Sequence, residues 1–224
     1  MRARGDLRVF SEPFSASYYL SEERVSDRFA KLAPDDPAPS WARVAEDLAA
    51  AAEHETVFVK DMAYHVAPCL DRDFVARYQN TFIIRHPART LASLRDLLPD
   101  FTFEEAGFEQ QERLMRLALE ISSEGLAVVD GDELRRSPAA AVEAYCRRVG
   151  LPQLPGSLSW EAELLPDWER WAPWHGDVAE STGIRPPAED AREGPPRGVD
   201  PGLYRRCLDH YEQMTELGRA FDAA

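Results

Sequence analysis

NTFIIRHPARTLASL, residues 80–94, is the stretch on which the reading of this chain turns. Thr81 to Ile84 are apolar or β-forming, which suits a short strand covered on both faces, and the run ends on Arg85. His86-Pro87 then opens a helical pattern, proline being tolerated at the first helical position. In open α/β sheets ligands bind beyond the carboxyl ends of the strands, which is where Arg85 falls. A helix N-terminus offers free N–H groups and partial positive charge, and a guanidinium beside it adds a forked cation matched to phosphate oxygens. Ser93, about two turns into the helix, has a hydroxyl for the same anion if that helix packs over it. The plainer alternative is an arginine that caps a strand and pairs with a nearby carboxylate. The residues alone leave both readings open.

Three further runs have the same strand character: LRVFSE (7–12), TVFVKD (56–61) and LAVVD (126–130). Between them lie helical patterns at 41–54, with Ser40 as N-cap, at 103–124, and at 137–150, with Ser137 as N-cap, Pro138 at the first position and Gly150 at the stop. A last helix over about 203–221 packs through Leu203, Cys207, Tyr211 and Met214. Strands alternating with helices predict right-handed crossovers and an α/β layered domain, a parallel sheet flanked by helices on both faces. The expected organisation is a single domain over 1–224. An α/β core fills 1–150, and a C-terminal helical segment over 151–224 carries a proline- and glycine-rich exposed loop at 185–202. Trp168, Trp171 and Trp174 fall at helical spacing and read first as core against the sheet, with Trp174 or His175 lining an acceptor pocket as the second reading.

A chain of 224 residues with 44% hydrophobic and 29% charged residues suits one soluble domain able to bury a core. A net charge of −14 argues against a nucleic-acid surface, although a few converging cations still suffice to bind a small anion. No run of ~18 apolar residues is present to span a membrane, and MRARGDLRVF lacks the ~7–15-residue apolar stretch of a secretory signal. Cys69, Cys146 and Cys207 are odd in number and widely spaced, which reads as small buried hydrophobes in a reducing compartment. No metal site is expected, and the cytoplasm is the expected location.

The Arg85/Pro87…Ser93 segment resembles the 3′-phosphate-binding segment of sulfotransferases, where a strand ending in arginine is followed eight residues later by serine. LAVVDGDELRRSPAAAVEAYCRRVGLP (126–152) is similar to that family's strand, turn, helix and closing Gly-Leu-Pro. VFSEPFS (9–15), VFVKDMAYHV (57–66) and WAPWHGDVAESTG (171–183) resemble a bacterial branch of the same superfamily, in the right order along the chain. The resemblance implies a P-loop-type topology and the donor 3′-phosphoadenosine 5′-phosphosulfate, or its product adenosine 3′,5′-bisphosphate. It also implies a small-molecule acceptor carrying a hydroxyl or amine. Yet there is no glycine between Gly5 and Gly107 and no GxxxxGK pattern, so the family's phosphosulfate-cradling loop is missing. By the family's pattern the chain starts one βα unit late. A truncated enzyme, a subunit completed by a protein partner or by self-association, and a fold repurposed to eliminate a sulfate leaving group are the alternatives. In each case the lone chain is expected to transfer sulfuryl groups weakly or not at all.

Within that resemblance Lys60, at the end of its strand, corresponds to a lysine that steadies charge on the bridging oxygen. The plainer alternative is a lysine snorkelling at a sheet rim. Many members place the catalytic histidine two residues after the lysine, where this chain has Met62. Asp61 or His65 therefore stands in as base, the plainer alternative being a loop histidine bonded to backbone. Glu12, closing the first strand, is a further base or an orienting carboxylate, or simply a turn cap. Arg185, Arg192 and Arg197 lie in the loop that the family uses to finish the 3′-phosphate site, with solvated surface charge as the alternative. The candidates are thus Lys60, His65 and Glu12 for chemistry, and Arg85, Ser93 and Arg185 for the nucleotide.

Overall fold

The structure, a computed structural model, describes residues 1–32, 36–123, 125–187 and 194–219. In chain order the elements are β1 (Arg8–Ser11), α1 (Ser15–Leu20), α2 (Trp41–Ala52), β2 (Val57–Lys60), α3 (Ala63–Val66), α4 (Arg72–Val75), β3 (Thr81–Ile84) and α5 (Pro87–Leu97). They continue with α6 (Phe103–Ala106), α7 (Phe108–Ile121), β4 (Ala127–Asp130), α8 (Gly131–Arg136), α9 (Pro138–Arg148), α10 (Ala172–Ala179) and α11 (Pro201–Arg219). A strand forms at each of the four apolar runs, and the protein is α/β with parallel pairing. Among the described residues the strands join two and two, β1 with β2 and β3 with β4, rather than in one continuous ladder.

Two compact units result. The first contains residues 1–69 and 154–182. Here β1 and β2 run parallel with Ser11 opposite Lys60, so the chains leave both strands side by side. Helix α2 turns Trp41, Val44, Ala45, Leu48 and Ala51 inward at the 3–4-residue spacing of an amphipathic helix. Ser40 caps it, its hydroxyl accepting from the Arg43 amide. Phe14, Tyr18, Tyr19 and Leu20 are buried around α1. The tryptophan-rich segment does not form the single core stripe that its spacing suggests. A 3₁₀ turn over Pro166–Trp171 precedes α10, and the change of pitch breaks the register. Trp171 packs on Tyr19 and Phe29, Trp168 stacks on His175, and Trp174 is largely exposed.

The second unit contains residues 70–153 and 183–219. Strands β3 and β4 pair in parallel with Ile84 opposite Asp130. Phe82, Ile84, Leu91, Phe108, Met115, Cys207 and Met214, from β3, α5, α7 and α11, form its core. The helix expected over 103–124 is broken at Gly107, whose φ of 77° ends α6 and starts α7; only glycine adopts that conformation without strain. Thr102 and Glu105 close a capping box on α6. Pro138 takes the first position of α9 as expected, but Ser137, at φ −136° and ψ 63°, makes no side-chain cap. Glu124 and Arg192 lie outside the described residues.

Leu91 is fully buried against both strand and helix side chains. Leu91→Ala should lower the unfolding free energy by about 2–5 kcal/mol, the cost of lost burial plus the cavity left behind. Ser93→Ala, two residues on at an exposed position, should change it by less than about 0.5 kcal/mol. Urea unfolding of the two variants checks both values.

Candidate functional site

In the first unit the parallel register sets Glu12 and Asp61 side by side, each one residue beyond its strand. Glu12 has a positive φ of 52°, the one such non-glycine among the described residues. A non-glycine held there costs on the order of 1–3 kcal/mol and persists only when its surroundings fix it. They do: its amide donates to the Lys60 carbonyl, and its own carbonyl accepts from the Ser15 amide and hydroxyl. The Glu12 carboxylate accepts a hydrogen bond from Lys60 Nζ, which also approaches Met62 Sδ at 3.8 Å. Burial pushes the Glu12 carboxyl up, but the charge and hydrogen bond of Lys60, with smaller contributions from His65 and His175, hold it below its ordinary value.

Asp61 organises the other half. Its Oδ2 accepts from the Phe14 amide at 2.9 Å, and its Oδ1 from the Met62 amide at 2.8 Å and from His65 Nδ1 at 2.6 Å. His65 is 2% exposed, with the rings of Tyr64, Tyr18 and Tyr19 at 4.5, 5.5 and 5.6 Å. The Trp41 indole N–H donates to the His65 carbonyl. His65 is thus no loop histidine bonded through its ring to backbone. Its Nε2 is buried with no hydrogen-bond partner. His175, stacked on Trp168 at 4.7 Å, belongs to the same charge environment. Burial lowers its basicity, which Glu12 raises and Lys60 lowers further.

In the second unit Arg85 leaves the end of β3, with α5 starting two residues on. Its carboxylate neighbour is Asp132, on α8, brought close because Gly131 has no side chain. A Cβ at Gly131 would sit 3.3 Å from the Ile84 carbonyl oxygen. Asp132 is bound chiefly by Arg89, Nε to Oδ2 at 3.0 Å; Arg85 Nε stands 4.0 Å from Oδ1. Arg85 Nε and Asp132 Oδ1 are both buried and without a hydrogen bond. Burial lowers the Arg85 pKa, Asp132 opposes this, and Arg135 and Arg89 add like charge. Arg135 reaches across to the carbonyls of Arg185 and Pro186, both at 2.9 Å. Two guanidiniums therefore share one carboxylate and a third adds like charge to Arg85, a local positive excess that an anion would neutralise.

Neither earlier account of Arg85 describes this fully. The strand-capping arginine has a carboxylate beside it, but another arginine holds that carboxylate. At the start of α5 the Ala88 amide donates to His86 Nδ1 at 3.2 Å and the Arg89 amide to the His86 carbonyl. An anion here would rest on guanidiniums more than on helix amides. Ser93 is exposed on α5, and Arg185 is tied to Arg135 through its carbonyl. Arg197 offers its carbonyl to Arg95. Sequence reading missed Arg89, Arg135 and Asp132. The spacing of Arg85 and Arg89, four residues across one helical start, was the available signal. Among the described residues no group of histidine, cysteine and acidic side chains is arranged to hold a metal ion, and no helix is long and apolar enough to cross a membrane.

Two parallel strand pairs, each ending in a group of charged side chains, define an α/β protein. The chain belongs to the sulfotransferase domain family, whose model it matches over residues 1–217. It is similar to two proteins of Arabidopsis thaliana. Branched-chain-amino-acid aminotransferase-like protein 2 is 25% identical over 212 residues, 93% of this chain and 37% of the plant protein. Branched-chain-amino-acid aminotransferase-like protein 1 is 30% identical over 145 residues, 63% of this chain and 25% of the plant protein. The chain thus spans well under half the length of either relative. No solved structure matches it significantly.

The Glu12–Lys60 pair has a pH signature. Glu12 ionises more readily in the folded chain than in the unfolded one, so it contributes stability at pH above its ordinary 4.5, and that contribution is lost as pH falls through the lower folded value. Glu12→Gln should be less stable than the parent near neutral pH, and the difference should shrink in acid. Urea unfolding at pH about 7 and about 3 measures it. An equal difference at both pH values would show that the carboxylate's charge contributes nothing.

Proposed function

We propose that this protein serves sulfuryl-group transfer to a small molecule bearing a hydroxyl or amine. The observation that carries the reading is the excess of guanidinium over carboxylate at the end of β3, with a buried Arg85 Nε left without a hydrogen bond among the described residues, in a chain of the sulfotransferase domain family. In this reading Arg85, Arg89 and Arg135 bind the 3′-phosphate of 3′-phosphoadenosine 5′-phosphosulfate, with Ser93 and the Arg185 loop completing the site. Lys60 steadies negative charge on the bridging oxygen as the sulfur–oxygen bond breaks. His65 or Glu12 takes the acceptor's proton. The aminotransferase-like wording in the plant relatives' names belongs to proteins of which this chain spans 37% and 25%, and gives no ground for that reaction here.

A second reading is favoured by the glycine-free span between Gly5 and Gly107. The amides that cradle the 5′-phosphosulfate in this family come from a loop that these residues lack. We propose that another segment or a partner chain supplies them, and that the 224 residues alone turn over negligibly. Loss of one such donor costs on the order of 10²–10³ in rate. If a sulfated small molecule loses sulfate in the protein's presence while no transfer occurs, elimination becomes the better reading.

Adenosine 3′,5′-bisphosphate should raise the melting temperature by ligand linkage, by an amount that grows with ligand concentration. Arg85→Ala should abolish the shift without unfolding the protein, and Ser93→Ala should reduce it. No shift at millimolar nucleotide would overturn the nucleotide assignment. When a loop-containing partner restores turnover, Lys60→Ala should depress kcat more than KM, since the lysine acts in the transition state.

A further inference from the structure

We infer that Asp61 is the positioning residue of a carboxylate–imidazole dyad, holding His65 in the tautomer that leaves Nε2 as the proton acceptor of the site. The inference rests on the sulfuryl-transfer reading for its chemistry, but on the geometry around His65 for its content. It also decides between the two bases that reading leaves open.

A carboxylate accepts and does not donate, so the 2.6 Å contact of Asp61 Oδ1 with His65 Nδ1 requires the proton on Nδ1. A neutral imidazole carries one ring proton, so Nε2 then presents a lone pair. That lone pair is buried in a residue 2% exposed, and among the described residues no group donates to it. An acceptor left unsatisfied in this way is costly, and a donor arriving with the substrate satisfies it. Asp61 is in turn fixed by the Phe14 and Met62 amides, one from beyond β1 and one from its own turn, so the carboxylate has little freedom to rotate away. The remaining groups that face the ring are the phenols of Tyr18 and Tyr19 from α1, that of Tyr64 from α3, and the charge of Glu12 beyond β1. Of the three tyrosines only Tyr64 is partly exposed.

Glu12 is the poorer base. Its carboxylate is occupied by Lys60 and held below its ordinary proton affinity, whereas the His65 lone pair is vacant. The step balances as follows. The acceptor oxygen or nitrogen forms a bond to sulfur, and the bond from sulfur to the 5′-phosphate oxygen breaks with its electron pair on that oxygen. The acceptor's proton passes to Nε2. The imidazolium that results lies against the Asp61 carboxylate, which stabilises it without taking the proton.

The test needs no turnover. In the ¹⁵N-labelled 224-residue chain, long-range ¹H–¹⁵N correlation reports which ring nitrogen of each histidine bears the proton, and His65→Gln identifies the His65 signals. When its ring is neutral, His65 should show the Nδ1–H tautomer alone. Asp61→Asn should lose that preference and populate both tautomers, and Asp61→Glu should restore it in part. A parent His65 with its proton on Nε2 overturns the inference, even if the Asp61 variants fail to fold. So does a folded Asp61→Asn whose His65 spectrum is unchanged. A failed nucleotide shift at Arg85 would instead remove the sulfuryl-transfer reading and leave the tautomer result standing, so the two failures are distinguishable.

Discussion

Parallel pairing makes both strands of a pair end at the same edge, and the charged groups of this protein are organised by that constraint. With Ser11 opposite Lys60, the residues that follow, Glu12 and Asp61, emerge together. With Ile84 opposite Asp130, Arg85 emerges beside the Gly131-Asp132 turn. The strands themselves are short and spend their side chains on packing. Past the ladder the Glu12 amide still reaches the Lys60 carbonyl, and the side chains of Glu12 and Asp61 find partners of their own. In one unit a lysine and a histidine are each held by a carboxylate. In the other, one carboxylate is shared unequally between two arginines.

The two carboxylates that matter most act in opposite ways. Asp61 is saturated, accepting from two amides and an imidazole, and so fixes what it touches. Asp132 is under-used, with one oxygen bound to Arg89 and the other without a hydrogen bond. A saturated carboxylate orients a neighbour, while an under-used one leaves nearby cations available for a ligand. The strongly negative chain as a whole does not prevent this, because Arg89 and Arg135 bring like charge to Arg85 locally.

The strands were legible because apolar runs ending on Lys60 and Arg85 can be read locally, and the parallel arrangement followed from strands alternating with helices. The pairing of Glu12 with Lys60 was partly legible, since both close a strand. The Asp61–His65 bond lay in an i, i+4 spacing visible in KDMAYH, yet only the fold shows that the ring's other nitrogen is buried without a partner. The shared carboxylate of Arg85 and Arg89 was not legible, because it comes from a third element, α8, at the close approach that Gly131 permits. The tryptophan spacing misled for a physical reason: Trp168 and Trp171 lie in a 3₁₀ turn and Trp174 in the α-helix that follows, so the three do not share one helix and their spacing marks no common face. Ser137 misled similarly, its backbone lying outside the extended region from which a serine reaches back to an amide.

The backbone at Glu12 sets fold stability and ammonium placement in opposition at a single residue. Glycine is the side chain that relaxes a positive φ, and it is also the one that would release Lys60. A chain selected only for robustness would drift toward glycine at this position, and the lysine would then swing free into water on its four-carbon stem. Keeping a glutamate there holds the ammonium near the strand end at the expense of backbone ease. The position thus holds a placed ammonium in the form of backbone strain rather than of a motif.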